Sequence, residues 1–461
     1  MASLSHPIEP APEDFTPLAA EQRRQQLSRP SLSYWQDAWI RLRANRRAII
    51  SLYIVIGMLM FTLLGPLVWR VDPSAQDLDQ VSRPPGAERE VTLTDPYRPW
   101  NGEAVLPAGA GLRLAYPANT QAVRLIWDPV PGAQAYRIYR NIVPNAPGEP
   151  LGLPIAQTLT ASETRYEDRL DLRAETYFYT VAALDASGAD MSAPQALAVT
   201  PVAVITVAEA VSRGLQTPSE TLKVGDKVRF ALHPLGTDYL GRDMLARLMH
   251  GARVSLFIGI VAPLLFVAFG VAYGSLAGFL GGRVDQIMMR FADFVIALPF
   301  LLFMILFKIA FGIGPGQSGI LPMIVALVML SWPGTARLVR GQILQVREEG
   351  YVNAARLLGA RTDYLVLRHM IPNTMGVILV TLTFAVPSAI FTEAFLSFIG
   401  MGVAPPTPSW GGMSNEGIKS MLIHPHELLF PAIMISVTVL AFNLLGDGLR
   451  DALDAKMRSR E

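Results

Sequence analysis

Cysteine is absent from all 461 residues, which excludes disulfides, thiolate metal sites, iron–sulfur ligation and cysteine nucleophiles in one step. Charge is scarce too: Asp, Glu, Lys and Arg make up 17% of the chain against a usual quarter, and the net charge is +1. A near-neutral chain lacks the basic surface that a nucleic-acid partner demands. No G-x-x-x-x-G-K-[ST] phosphate loop occurs, since the glycine cluster from Gly312 to Gly319 has no lysine. G-x-S-x-G and H-E-x-x-H are missing, and no serine–histidine arrangement is evident, so an enzyme is not expected. His424, His426 and Glu427 are metal-ligand types without the helical i, i+4 spacing or a third cluster, and read as loop. Turn and cap roles likewise account for Asp238, Asp243 and His233.

What the chain has in excess is apolar length: 51% hydrophobic residues and a mean hydropathy of +0.33. Residues 1–47 read as a polar tail followed by an interfacial helix, where Tyr34, Trp35, Trp39 and Leu42 stand among basic residues. Residues 48–69 carry no charge and suffice, at about 1.5 Å per residue, to cross a hydrocarbon core of about 30 Å. The polar lead is too long and the apolar run too extended for a cleaved signal peptide. Residues 70–116 read as an irregular linker. Over 117–201, Val123, Leu125 and Trp127, then Tyr136 and Ile138, then Tyr177, Tyr179 and Val181 alternate with other positions between turn signals. That period-two pattern predicts short antiparallel strands and a β-sandwich. Residues 202–253 read as a connector ending in an amphipathic helix capped by Asp243. Residues 254–461 then hold five spans, at 254–280, 288–312, 320–340, 376–403 and 428–447, the third and fourth spans of the chain broken by Pro299 and Pro333. The predicted fold is an all-α polytopic membrane protein of six transmembrane helices, with an all-β sandwich inserted between helices 1 and 2.

Arginine-rich segments precede span 1, separate spans 2 and 3 and spans 4 and 5, and follow span 6. The loop 312–319 has no Lys or Arg, and the loop after span 5 has only Lys419. The positive-inside rule therefore places both termini in the cytoplasm and the β insert outside. Within the spans, Glu393 reads either as a pore-lining or gate group or as an interhelical hydrogen bond. Asp293 reads as a partner of Arg290 or of another chain; Arg337 and Arg340 read as snorkelling ends, and Asp447 and Arg450 as fixing the terminus of span 6.

The long charged segment of the second half, Glu348 to Thr374 within the cytoplasmic loop 341–374, reads as a helix–turn–helix at the membrane surface, with Gly359 where one helix stops and a second begins. Its pattern Ala354-Ala355-x-x-x-Gly359, followed by Ile371-Pro372, resembles the coupling loop of ABC importer permeases, with Asn353 in place of the usual glutamate. Three more stretches resemble the dipeptide/oligopeptide branch of these permeases: 233–256, with Gly236, Thr237, Asp238, Gly241, Arg242 and Asp243; 393–412, with Trp410; and 442–458, with Asn443, Asp447 and Ala455 in place of a proline. The resemblance spans roughly 33–70 and 230–461 and leaves out the β insert, which itself resembles a fibronectin type III domain, with Tyr177 at the tyrosine-corner position. It implies the ABC importer permease fold in a prokaryotic inner membrane, paired with a second homologous permease, two cytoplasmic ATPases and an extracytoplasmic substrate-binding protein. ATP and magnesium would bind on the ATPases, leaving no cofactor on this chain. Asn353, Ala354, Ala355, Arg356, Gly359 and Pro372 would form the ATPase contact. Peptides are the implied cargo, with nickel, glutathione or another small solute as alternatives. A receptor or adhesion protein using the sandwich is the competing reading from a different class.

Overall fold

The structure, a computed structural model, describes residues 34–453 except 88, 108, 146–149, 192–193, 216–221 and 312–318. The polar tail 1–33, the positions Ala455 and Arg458, and nearly all of the loop 312–319 therefore lie outside the described residues. Two compact units emerge: Ala87–Leu232, and the rest of the described chain.

The helical unit begins with α1 (Tyr34–Ala44), where the Arg43 guanidinium lies 4.8 Å over the Trp39 ring. Asn45 ends it and caps α2 (Arg46–Val68), its Oδ1 accepting from the N–H groups of Arg47 and Ala48. After the insert, which carries the short α3 (Val207–Ser212), come α4 (Met244–Leu280), α5 (Gly282–Ala297), α6 (Phe300–Ala310), α7 (Ile320–Arg347) and α8 (Gly350–Leu357). They are followed by α9 (Thr362–Phe398), α10 (Trp410–Gly417) and α11 (His426–Leu453). By length and composition α2, α4, α7, α9 and α11 could cross a membrane, and a sixth span results if α5 and α6, bent by 82° at their junction, count as one.

Several span boundaries differ from the sequence reading. The amphipathic stretch before 254 is no separate helix but the first turns of α4, which runs unbroken for 37 residues. Span 4 continues past 340 to Arg347, and α9 starts well before 376. The two prolines also behave differently. Pro299 breaks the chain, because the residue before a proline is pushed out of the helical region and Leu298 is extended. Pro333 stays inside a continuous α7, where its neighbour Trp332 is held between the rings of Phe269, Tyr273 and Phe291.

In the other unit, β3 (Val123–Ile126) pairs with β2 (Arg113–Leu114) and β6 (Arg165–Asp168), giving the order β2-β3-β6. A second sheet has the order β5-β4-β7-β8, from Ala156–Gln157, Ala135–Asn141, Tyr177–Leu184 and Gln195–Val199. Their facing side chains, among them Leu125, Trp127, Tyr136, Ile138, Tyr179 and Val199, form one core, which makes the pair a sandwich. Trp127 lies one residue past β3 rather than in it. Buried Asp168 accepts from Arg140 at 2.9 Å and from the Tyr179 hydroxyl at 2.6 Å. Burial, and next this hydrogen bond, push the Tyr179 hydroxyl above its ordinary range, so the tyrosine remains the donor.

The expected linker 70–116 and connector 202–253 are more ordered than composition suggested. They supply β1 (Glu90–Thr94), β9 (Val204–Thr206) and β10 (Lys227–Arg229), a third sheet in the order β10-β1-β9, and α3 with its Thr206/Glu209 capping box. Parallel β1–β9 pairing joins segments over a hundred residues apart, which no local pattern reveals.

Packing in the helical unit centres on a seam of small residues. Gly270, Gly274 and Gly278 recur every fourth position on α4 and face α7. A Cβ on Gly274 would fall on the Ala336 carbonyl oxygen; on Gly270 it would come within 2.8 Å of the Trp332 oxygen, and on Gly278 within 3.0 Å of the Arg340 oxygen. Gly274→Val is therefore expected to destabilise the fold by about 1–3 kcal/mol through overpacking. Gly57→Val, with nothing within 4 Å, serves as control. Equal thermal midpoints for the two variants in detergent would contradict this account of the seam.

Candidate functional site

The elbow between α7 and α9 is built as its sequence requires. α8 ends at Leu357, and Gly359 takes φ +85°, a left-handed turn that costs a residue with a Cβ. The orphan carbonyls at the end of α8 accept from Gly359 N–H at 3.0 Å and Ala360 N–H at 3.1 Å. Val352 is wholly buried, in a cluster with Ile343 and Met370. Ala355 is half-buried, whereas Ala354 and Arg356 are exposed and Leu357 and Leu358 stand 89% and 88% accessible. Asn353 turns inward along the backbone, donating to the Glu348 carbonyl at 3.3 Å. Pro372 has no N–H to return to the carbonyl of Arg368, and the chain before it, Leu365–Met370, relaxes into a wider π-helical turn.

Three arginines tie the elbow end of the bundle together. Arg347 donates to the Gly278 and Phe279 carbonyls, each at 3.3 Å, serving the exposed C-terminal groups of α4. Arg340 makes a bidentate pair with Asp285 at 2.5 Å, and Arg337 pairs with Asp293, which also lies 3.8 Å from Arg290. Arg337 and Arg340, read as snorkelling ends, both keep part of the side chain in the open, and each also finds an acid one helix away on α5, which the sequence reading had not paired with them. The Arg356 guanidinium sits 5.8 Å over the Phe279 ring, linking α8 itself to the end of α4.

The other end of α4, about 55 Å away along a 37-residue helix, carries the second constellation. Asp238 accepts from Arg242 at 2.7 Å and from Arg247; Glu416 of α10 accepts from Arg242 at 2.9 Å and from Arg247 at 2.8 Å. Two acids and two arginines close into a neutral, largely buried quartet. Asp243 caps α4, accepting from Ala246 N–H at 2.6 Å, and also accepts from the Trp69 indole at 3.2 Å; its other oxygen lies 2.7 Å from His233 Nδ1. Gly236 and Gly241 take φ +76° and +72°, and Cβ atoms there would strike the carbonyl oxygens of Arg83 and Asp77. Thr237 seals this contact by donating to the Gln80 carbonyl and accepting from Arg83 N–H at 2.9 Å. His426 Nε2 lies 3.0 Å from the Thr237 carbonyl oxygen, so the histidine is a strut of this turn.

Trp410, fully buried, donates its indole N–H to the Leu248 carbonyl at 3.0 Å. Glu393 is enclosed on all sides and accepts from Ser397 at 2.8 Å, one turn along its own helix. It lines no opening here. That bond is intrahelical, and Ser255 of α4 and Ser409 at the start of α10 also hydrogen-bond the carboxylate, which is the interhelical contact anticipated. Asn443 is half-buried and Asp447 exposed on α11; neither makes a side-chain hydrogen bond among the described residues. The sequence reading missed Arg247, Arg347, Asp285 and Glu416. Glu416 had one visible signal, as the only acid between Glu393 and Glu427.

The family described as "Binding-protein-dependent transport system inner membrane component" matches residues 270–459, and "N-terminal TM domain of oligopeptide transport permease C" matches 33–85. The chain is 49% identical over 226 residues to the oligopeptide transport system permease protein OppC of Bacillus subtilis, covering 49% of this chain and 72% of that one. It is 49% identical over 227 residues to the dipeptide transport system permease protein DppC of the same organism, covering 49% and 69%. It is 43% identical over 227 residues to the glutathione transport system permease protein GsiD of Pectobacterium atrosepticum, covering 49% and 74%. A solved structure of the MetNI methionine ABC transporter in inward-facing conformations aligns over 46% of this chain and 98% of that one, with a TM-score of 0.38 at 16% identity.

Removing one member of the quartet leaves a buried charge unpaired, at a cost of about 3–5 kcal/mol. Arg247→Met should therefore lower the unfolding midpoint far more than Arg290→Met, whose guanidinium is exposed. Indistinguishable melting curves for the two would remove the quartet from the structural account.

Proposed function

Since the chain belongs to the binding-protein-dependent transport system inner membrane components, the permeases of ABC importers, we propose that it forms half of a peptide-translocating pore and takes its driving force through the α8 elbow. One observation carries the coupling part. α8 presents Ala354, Arg356, Leu357 and Leu358 outward, while its buried Val352 and the bonds of Arg347 and Arg356 fix it to α4 and α7. An exposed apolar-and-basic helix, rigidly rooted in two spanning helices, is suited to dock in a partner's groove and pass on its displacement.

The partners in this reading are a second, homologous permease, two cytoplasmic ATPases that hold ATP and magnesium, and an extracytoplasmic substrate-binding protein. Both termini and the elbow face the cytoplasm of a prokaryotic inner membrane, and the β insert faces outward; the arginine distribution supports this sidedness. Oligopeptides or dipeptides are the cargo, as the names of two of the relatives suggest, with glutathione, the cargo in the third name, as a second reading. Small Ala354 and Ala355 permit close approach of the ATPase, Gly359 supplies the turn, and Arg356 meets an acidic partner. Pro372 sets the loosened turn near the start of α9. Asn353, engaged with its own backbone, plays the part of a helix brace in place of the usual glutamate.

The β insert is read as a fibronectin type III-like domain that meets the binding protein. Its three-plus-four strand order supports the fold assignment, as does the Tyr177 hydroxyl, which accepts from Arg173 N–H at 2.9 Å at the entry to β7.

Two measurements test these statements. Replacing the exposed Leu357 and Leu358 together by Ser should abolish ATP-dependent peptide uptake in reconstituted vesicles and release the ATPases on purification, while the melting curve of the permease holds. Full uptake by that variant would sink the coupling role. Deleting residues 87–232 and joining 86 to 233 should weaken capture of the binding protein by the membrane complex while ATPase association persists; unchanged capture would discard the role given to the insert.

A further inference from the structure

Midway along the spanning helices, between α4, α6, α7 and α9, lies a cleft of about 360 Å³. Pockets that hold small ligands measure about 300–1,000 Å³. Ser331 and Thr335 of α7 form one wall. Thr381, Ser388 and Thr392 form the other, at spacings of seven and four that keep them on one face of α9. Phe300 and Phe384 add apolar surface, and no charged side chain lines the space.

The hydroxyls divide into two kinds. Thr381 and Thr392 donate to the carbonyls of Val377 and Ser388, each at 2.8 Å, so they offer the cleft only lone pairs. Ser331, Thr335 and Ser388 make no side-chain hydrogen bond to another described residue and keep both donor and acceptor for whatever enters. At membrane depth, lipid tails would leave such groups unsatisfied, which is costly. An occupant that brings both N–H and C=O groups answers them in full. A peptide main chain brings one of each at every residue, whatever its side chains. An uncharged lining adds no preference for acidic or basic cargo.

We propose that this cleft is a transit site, at which Ser331, Thr335 and Ser388 hydrogen-bond the main-chain amides of a peptide in passage and hold it without regard to its side chains. The inference rests on the peptide-import reading and names the residues that perform it. The cleft is too small to enclose a long peptide, so the cargo threads through it extended, a few residues at a time.

The absence of cysteine makes the test clean. Ser388→Cys, and Leu306→Cys on the exposed apolar face of α6 as control, are introduced into the full complex in proteoliposomes with its ATPases, partner permease and binding protein. Labelling of this chain by a charged methanethiosulfonate reagent is followed during turnover. The cysteine at 388 should react, and trialanine at about ten times its KM should slow that reaction roughly tenfold; the cysteine at 306 should be indifferent to peptide. No reaction at 388, as for a surface covered by the second permease or by lipid, or reaction unaffected by trialanine, overturns the inference. Uptake of trialanine by the unsubstituted complex is measured alongside, since its absence would instead remove the peptide-import reading. In the second arm, the Ser331→Ala/Ser388→Ala double variant should raise KM by about 2- to 10-fold per lost hydrogen bond. The factor should be similar for acidic, basic and apolar tripeptides; an effect confined to one side-chain class also overturns the inference.

Discussion

The helical unit depends on how closely α4 and α7 approach each other. Backbone oxygens of Trp332, Ala336 and Arg340 occupy the space that side chains at Gly270, Gly274 and Gly278 would need. Between membrane helices there is little hydrophobic gain in association, because lipid tails are as apolar as leucine; contact must come from packing. Because α4 and α7 nearly touch, Arg347 reaches the last carbonyls of α4, and Arg356 reaches Phe279. A wider gap would leave the elbow hanging from one helix instead of two.

Charges in this unit are spent mostly in closed pairs. At the elbow end, α5 offers Asp285 and Asp293 to Arg340 and Arg337, so two ion pairs hold α5 against α7. At the other end, the quartet around Asp238 welds the start of α4 to α10, and Thr237 welds the same turn to the segment 77–83. Among the described residues, the groups left unpaired inside include the Ser331, Thr335 and Ser388 hydroxyls of the mid-helix cleft and single buried atoms of Arg247, Ser275, Glu393, Glu427 and Thr438. The two ends are braced, and the adaptable chemistry sits between them.

Much of this was legible in the sequence because it is local. Apolar runs locate the spans, Asp243 and Gly359 mark a start and a stop, and the alternation around Leu125, Ile138 and Tyr179 gives the sandwich. Contacts between distant segments left no such trace. Glu416 stands more than 160 residues from Arg247, β1 pairs with β9 across the whole sandwich, and Arg340 meets an acid 55 residues upstream. Pro299 and Pro333 read alike in one dimension; the cluster of rings around Trp332 tells them apart only in three. Glu393 offered two readings because length and hydropathy place a charge in a span without saying which way it points.

The pairing of Glu90 with Arg229 and of Val91 with Val228 carries a consequence for how such a chain could arise. The two strands form a stem at which the β unit leaves and returns side by side, with Arg89 reaching across to the Phe230 carbonyl at 2.8 Å. A graft anchored this way presents its host with the ends of one short loop, and the entropy of closing that loop depends only weakly on how much lies beyond it. The stem thus makes the helical host indifferent to the size of its passenger, and a lineage could gain, enlarge or shed the domain without refitting the bundle.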